Sequence, residues 1–225
     1  TRGYDKAINV LGADHHGYVQ RMRICLSAMG IDDSRLDVVI MQMVMLVRGG
    51  ETVKLSKRSG KAITLTTLLD EVPIDAARFF FNLRDANTHL EFDLDLAVEE
   101  SSKNPVFYVQ YAHARICRVI EKMAEDGVKY SGGAVNYTEP AELTLVRKIA
   151  EMPEMINEAA KDYDPSALTK YAFELAQAYH KFYDSCSVKD AETDVKLSRL
   201  ALCEATRTAL RNVLALLKVE APEKM

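Results

Sequence analysis

Asn104-Pro105-Val106-Phe107-Tyr108-Val109-Gln110-Tyr111-Ala112-His113-Ala114-Arg115 opens a region that reads as helix almost to residue 225. Val109, Ala112, Ile116, Val119 and Met123 recur at three- and four-residue steps, which places them on one buried stripe of a helix. Tyr108, Tyr111, Arg115, Arg118 and Lys122 share a face opposite that stripe. Breaks at Gly132-Gly133, around 162–165 and around 187–190 divide the region into four expected helices, with an exposed loop at 130–137. In the third, Asp164 is a candidate N-cap with Pro165 at the first helical position, and Leu168, Ala172, Leu175, Ala178 and Phe182 form the buried face. The fourth, about 194–217, buries Leu197, Leu200, Cys203, Leu210, Leu214 and Leu217.

Upstream of residue 104 the pattern is mixed strand and helix. Ala7-Ile8-Asn9-Val10-Leu11 is an apolar run ending at Gly12, and helical periodicity follows from about 17 to 29, stopped by Gly30. Val38-Val39-Ile40-Met41-Gln42-Met43-Val44-Met45-Leu46-Val47 is long for a strand but too rich in β-branched residues for a helix, which predicts a buried parallel strand leading into a hairpin. Gly49-Gly50 supplies the turn, because two-residue hairpin turns demand positive φ, and Thr52-Val53-Lys54-Leu55 returns as the partner. Short helices are expected near 66–71 and, after Pro73, near 75–83, followed by a loop from 85 to 95. The fold class is therefore α/β followed by all-α.

A chain of 225 residues with 48% hydrophobic and 28% charged residues can fold, and its length suggests two compact units. It contains no run of about 18 uncharged apolar residues and no apolar signal-peptide core at its start, so a soluble, cytoplasmic protein with no membrane partner is expected. Cys25, Cys117, Cys186 and Cys203 lack the paired spacing of a zinc site and read as free structural thiols. A net charge of -4 excludes a protein held to nucleic acid by bulk positive charge, so any RNA contact must be local. The Tyr108 to Lys122 face suits such a contact, since aromatic rings stack on unpaired bases while arginine and lysine meet phosphates. Tyr179 and Tyr183, beside Lys181, repeat the theme on the third helix. Half-buried tyrosines with wet hydroxyls and a solvated charge stripe are the competing reading.

Two further segments carry chemistry. Gly12-Ala13-Asp14-His15-His16-Gly17 lies where a strand ends and a helix begins, the position at which open α/β sheets bind nucleotides. A polar strand-to-helix turn, with Asp14 as a cap, explains the same residues, whereas a metal site lacks a ligand cluster. Lys54-Leu55-Ser56-Lys57-Arg58-Ser59-Gly60-Lys61 gathers cations, hydroxyls and a glycine in the manner of a loop that closes on a polyphosphate; a solvated basic turn is the alternative.

Taken together, the two segments resemble the class I aminoacyl-tRNA synthetases. Lys54-Leu55-Ser56-Lys57-Arg58 is similar to their Lys-Met-Ser-Lys-Arg signature, with Leu55 conserving the volume of the methionine. Residues 10–19, 75–95 and 104–115, together with Glu174-Leu175-Ala176-Gln177-Ala178-Tyr179-His180-Lys181-Phe182-Tyr183 and the ending Ala221-Pro222-Glu223-Lys224-Met225, resemble bacterial arginyl-tRNA synthetases. The resemblance covers essentially the whole chain. It implies the C-terminal part of a Rossmann-type catalytic domain over 1–50, a connecting region with the signature loop over 51–103, and a helical anticodon-binding domain over 104–225.

Residue roles are also implied by the resemblance. Gly12, Asp14 and His15 would line the adenosine and ribose side of an ATP site, and Val53 and Leu55 would offer backbone groups to adenine. Lys54, Ser56, Lys57 and Arg58 would bind ATP phosphates, with Mg2+ carried on those phosphates, and stabilise the adenylation transition state. Tyr108, Tyr111, Arg115, Arg118, Tyr179, Lys181, Tyr183 and the terminal Met225 would meet the anticodon stem-loop of tRNA(Arg). The family's other signature, a His-Ile-Gly-His-like element, is absent from these 225 residues, as is most of the arginine pocket, so the expectation is a C-terminal fragment of an arginine–tRNA ligase that cannot activate arginine alone. A non-catalytic RNA-binding module derived from such an enzyme is the alternative, and within the enzyme class a cysteinyl or methionyl type is the runner-up.

Overall fold

Ala7 to Gly12 forms β1, which pairs in parallel with β2 (Leu36–Met41), from Ala7 opposite Leu36 to Gly12 opposite Met41. Parallel neighbours need a crossover, and α1 (His16–Ala28) supplies it. Gly30 ends that helix at φ 71, with its own N–H on the Ser27 carbonyl and the Ile31 N–H on the Leu26 carbonyl, both at 3.0 Å. Those two bonds satisfy carbonyls that the helix end leaves open. This computed structural model describes residues 3–53 and 64–225.

The apolar run expected as one strand is two. After β2 the ladder breaks at Gln42-Met43, and β3 (Val44–Arg48) belongs to a different sheet. A polar residue interrupts the run at Gln42, whose N–H pairs with the Ala86 carbonyl at 2.8 Å instead of with the first sheet. β2 is also half-buried and not enclosed, and β1 leaves Ile8 and Val10 exposed. Gly49 and Gly50, at φ 60 and 79, turn β3 back into β4 (Glu51–Thr52), antiparallel to it as expected.

Within the segment read as a loop from 85 to 95 lies β5 (Leu90–Asp93), parallel to β3 with Val44 opposite Leu90. It is followed by α4 (Leu94–Val98). Four residues, with Leu90 and Phe92 buried between exposed or partly exposed neighbours, are too short a signal to separate from a loop until the partner strand is known.

Two compact units result. One takes 3–53 with Arg84–Asp93; the other takes 64–83 with 94–225. The second begins with α2 (Leu65–Glu71), capped by the Thr64 side chain, and α3 (Ile74–Phe81), which follows Pro73 and buries Phe79 and Phe80. Its bulk is α5 (Pro105–Glu125), α6 (Pro140–Ala150), α7 (Met152–Asp162), α8 (Ser166–Ser185) and α9 (Thr193–Leu216). α8 runs through the middle, touching each of the other four. Val109, Ala112, Ile116, Leu145, Leu175, Phe182, Leu210 and Leu214 meet there with almost no exposure. Each large side chain so buried contributes about 1.5–3 kcal/mol of hydrophobic stabilisation.

Where a single helix was expected between the 130–137 loop and the break around 162–165, α6 and α7 meet at Glu151. Pro153, in the first turn of α7, has no N–H to continue the ladder from α6, so the helix must restart. α8 begins at Ser166, one residue later than expected, with Pro165 in the capping position and the Asp164 side chain accepting from the Ser166 N–H at 2.9 Å. Ala178 is only half-buried, and Tyr179 takes the fully buried place next to it.

All four cysteines are free, and Cys186 and Cys203 are buried, with burial pushing the Cys203 thiol up to about 12. Cys25 is exposed on α1, unlike the buried structural thiol expected. Among the described residues no helix is long and apolar enough to cross a membrane.

Candidate nucleic-acid interface

Asn104 sets the direction of α5. Its side chain accepts from the Val106 N–H at 3.2 Å and donates to the Ala97 and Glu99 carbonyls, so the first turn is tied to the segment before it. From that fixed start Tyr111, Arg115, Arg118 and Lys122 line one wall of a groove of about 570 Å³. Tyr183 of α8 and the terminal residues Glu223, Lys224 and Met225 complete it.

Arg115 is the centre of the groove. Its guanidinium lies 5.0 Å from the Tyr111 ring centre and 4.5 Å from that of Tyr183. It also donates to the Tyr111 hydroxyl at 3.3 Å and to Nδ1 of His180 at 3.2 Å. Arginine cannot accept, so Nδ1 of His180 must carry the lone pair. Burial first, and the Arg115 charge second, hold the His180 imidazole below its ordinary pKa, which keeps it neutral and compatible with that neighbour. A cation fixed between two aromatic faces is pre-oriented, with N–H groups in a planar fork that matches a phosphate.

Arg118 is placed differently. It is exposed and pairs with Glu121 one turn on at 2.7 Å. Exposed pairs of this kind are worth little, so exchanging the carboxylate for a phosphate costs little.

A smaller hollow of about 350 Å³ adjoins the groove and shares Tyr111 and Arg115 with it. Phe107, Tyr108, His180 and Asp184 line it. Tyr108 is half-buried there, its ring 5.1 Å from Phe173 and 4.8 Å from His180, and burial followed by the nearby Asp184 charge raises its phenol pKa.

Five of the residues read as RNA-facing, Tyr111, Arg115, Arg118, Tyr183 and Met225, therefore converge on one groove, with Tyr108 beside it. Two do not. The Tyr179 ring is wholly buried, packed against His180, Phe182 and Tyr183 at 5.9 to 6.2 Å between centres, and has no face to offer a base. Lys181 is exposed but stands two residues from Tyr183, a rotation of about 200° around the helix, and so points away from the groove. His180 was missed. Its only sequence signal is that it lies three residues before Tyr183, on the same face.

In the other unit, Gly12 ends β1 and Asp14 and His15 occupy a short turn before α1. His15 Nε2 is 3.7 Å from Asp14 Oδ2, and both side chains are more than half exposed. A Cβ at Gly12 would come within 2.8 Å of Asp14 Oδ1, so a side chain there would force the carboxylate to turn. Val53 donates its N–H to the Leu46 carbonyl at 2.8 Å inside the hairpin, so that N–H is already used within the sheet. Lys54, Leu55, Ser56, Lys57 and Arg58 lie outside the described residues.

Residues 109–225 match the family model of the DALR anticodon binding domain. The arginine–tRNA ligase of Shouchella clausii is 50% identical over 227 residues, and that of Caldanaerobacter subterraneus 50% over 231 residues. Each alignment covers 100% of this chain and 41% of the relative, so the chain spans well under half the length of the ligases it matches. A solved arginyl-tRNA synthetase from Campylobacter jejuni superposes with a TM-score of 0.89 at 32% identity, over 100% of this chain and 49% of that one. The Thermus thermophilus arginyl-tRNA synthetase reaches 0.83 at 22% identity, a likeness of fold. On this evidence the chain belongs to the arginine–tRNA ligase family and carries that family's DALR anticodon-binding domain.

Proposed function

We propose that the chain is part of an enzyme that converts ATP, arginine and tRNA(Arg) into arginyl-tRNA, AMP and diphosphate, and that its share is to grip the anticodon stem-loop and to supply one side of the ATP site. The Arg115 clamp carries this reading: a guanidinium fixed between Tyr111 and Tyr183, in a groove that also holds Arg118, Lys122 and Met225. Rings that can stack on unpaired bases and cations that can meet phosphates converge in one place, as a chain of net charge -4 requires. ATP, with Mg2+ on its phosphates, would meet Gly12, Asp14 and His15 on its ribose side and Lys54, Ser56, Lys57 and Arg58 on its phosphates. The exposed Asp14 carboxylate at the end of a parallel strand supports the first half of that assignment.

Titration of an anticodon stem-loop of tRNA(Arg) tests the groove. Arg118→Ala should weaken binding several-fold and lower the slope of log affinity against log salt by about 1, the signature of one lost phosphate contact. Arg115→Ala removes the charge and the clamp together, and should weaken binding by roughly ten- to a hundred-fold. Unchanged affinity and salt slope in both variants would overturn the assignment.

Arginine activation is expected to need residues beyond these 225. The polypeptide by itself should show no arginine- and tRNA-dependent ATP–pyrophosphate exchange above background. Exchange by this chain alone would show that it holds a complete catalytic site.

A further inference from the structure

At the end of α9 the chain reverses at Lys218, which adopts a positive φ of 58. The reversal is closed by the Lys218 N–H on the Ala215 carbonyl and the Val219 N–H on the Leu214 carbonyl. Glycine usually fills such a place, because a Cβ is strained there. Here a lysine is held in it, and its carbonyl accepts from Arg78 Nη1 at 2.7 Å.

Two residues later the Glu220 N–H donates to Asp75 Oδ2 at 2.9 Å, and the Glu220 carbonyl accepts from Gln110 Nε2 at 3.0 Å. Gln110 Nε2 also reaches the same Asp75 oxygen at 3.2 Å, so one carboxylate joins α3, α5 and the tail. Two residues further, the Pro222 carbonyl accepts from His113 Nδ1 at 2.9 Å.

The spacing of these contacts is regular on both sides. In the tail they fall on every second residue, 218, 220 and 222, with Val219 buried between the first two. On the helices they come from Asp75 and Arg78 of α3 and from Gln110 and His113 of α5, in each case residues about one turn apart. Immediately after the last contact, Glu223, Lys224 and Met225 enter the wall of the groove beside Arg115.

We infer that Asp75, Gln110 and His113 are positioning residues for RNA: they strap the C-terminal tail across α3 and α5 so that Lys224 and Met225 stand in the groove before RNA arrives. The inference rests on the RNA reading of that groove. Without the strap the last residues would be ordered only on binding, and that entropy would be subtracted from affinity. None of the three needs to touch RNA.

The test is a double-mutant cycle on the full chain, using a labelled anticodon stem-loop of tRNA(Arg) as probe. Asp75→Ala should weaken binding roughly tenfold, by the loss of tail pre-organisation. Removing residues 223–225 should give a similar loss, and Asp75→Ala in the shortened chain should add nothing to it, because the two changes remove the same term. Asp75→Asn, whose Oδ1 can still accept from Gln110 and Glu220, should bind within a few-fold of the unaltered chain. A structural role alone would not make the Asp75→Ala loss vanish in the shortened chain. Full binding by Asp75→Ala, or losses that simply multiply, would overturn the strap. Absence of saturable binding by the unaltered chain would overturn the RNA reading itself and this inference with it. In that case all five proteins would behave alike.

Discussion

Glu142→Ala is expected to lower the unfolding free energy of the helical unit by about 3–5 kcal/mol, because it strands a mostly buried arginine. The Glu142 side chain is 2% exposed and that of Arg199 13%, with Arg199 Nε 2.6 Å from Glu142 Oε1. The other carboxylate oxygen accepts from the Thr138 and Glu139 N–H groups, each at 3.0 Å, and closes the capping box that starts α6. Arg199 in turn donates to the Ser187 carbonyl at 2.7 Å, in the α8 to α9 connection. One carboxylate therefore holds the start of α6, the side of α9 and a loop, and an alanine leaves a cation and two N–H groups without it.

Urea unfolding at neutral pH should show the midpoint falling with the slope unchanged. Glu142→Gln, which keeps one acceptor, should lose less. A loss under about 1 kcal/mol in the alanine variant would refute the account, since it would place the pair in the range of exposed salt bridges.

The same carboxylate predicts an acid limb. Burial alone would raise its pKa, but the Arg199 hydrogen bond and the two backbone N–H groups outweigh burial and bring it below the ordinary value. A carboxyl with a depressed folded pKa contributes stability that is fully present above its unfolded pKa and is lost as pH falls through the folded one. The alanine variant should therefore lose less stability than the parent on acidification below about pH 4.5, the ordinary glutamate range.

Tyr179 and Tyr183, four residues apart on α8, should behave oppositely. Tyr179→Ala should destabilise the unit by about 3–5 kcal/mol, the usual cost of deleting a buried aromatic ring. Its ring is 0% exposed, and its hydroxyl finds no hydrogen-bond partner among the described residues. Tyr179→Phe should accordingly be neutral or stabilising, with stem-loop affinity unchanged, because it removes a buried hydroxyl whose desolvation is uncompensated. Burial likewise pushes the Tyr179 phenol pKa far up.

Tyr183→Ala should change stability little and weaken stem-loop binding by about 1–3 kcal/mol, the range for one lost stacking partner. Its ring is 40% exposed and carries the Arg115 guanidinium. Thermal unfolding and stem-loop titration on the same four proteins separate the two residues. A binding defect in Tyr179→Phe, or full affinity in Tyr183→Ala, would reverse the assignment.

Why the sequence places Tyr179 and Tyr183 together is simple: a four-residue step puts both on one side of a helix. That side is wide. α8 is surrounded by α5, α6, α7 and α9, and the seam with α5 and α9 closes over Tyr179 while leaving Tyr183 at the rim. Periodicity reports direction around one axis and not the position of neighbouring helices, so it could not tell a core tyrosine from a groove tyrosine. The same limit hid His180, which lines the adjoining hollow, where Arg115 comes across from α5 to meet it.

Local physics determined much of the rest. Gly49-Gly50 between apolar runs requires a tight hairpin, and Gly30 at the end of α1 stops that helix. The stripe from Val109 to Met123 and the face from Leu197 to Leu217 commit two long helices to bury one side. Each of these signals lies within a few residues of chain. Tertiary structure alone decided what depended on distant partners. β5 exists as a strand because β3 lies beside it, and the long apolar run divides because its two halves pair with different strands. The tail reaches the groove because residues more than a hundred positions earlier in the chain hold it there. A hydrogen bond or a packed ring needs two partners, and one stretch of sequence shows only one of them.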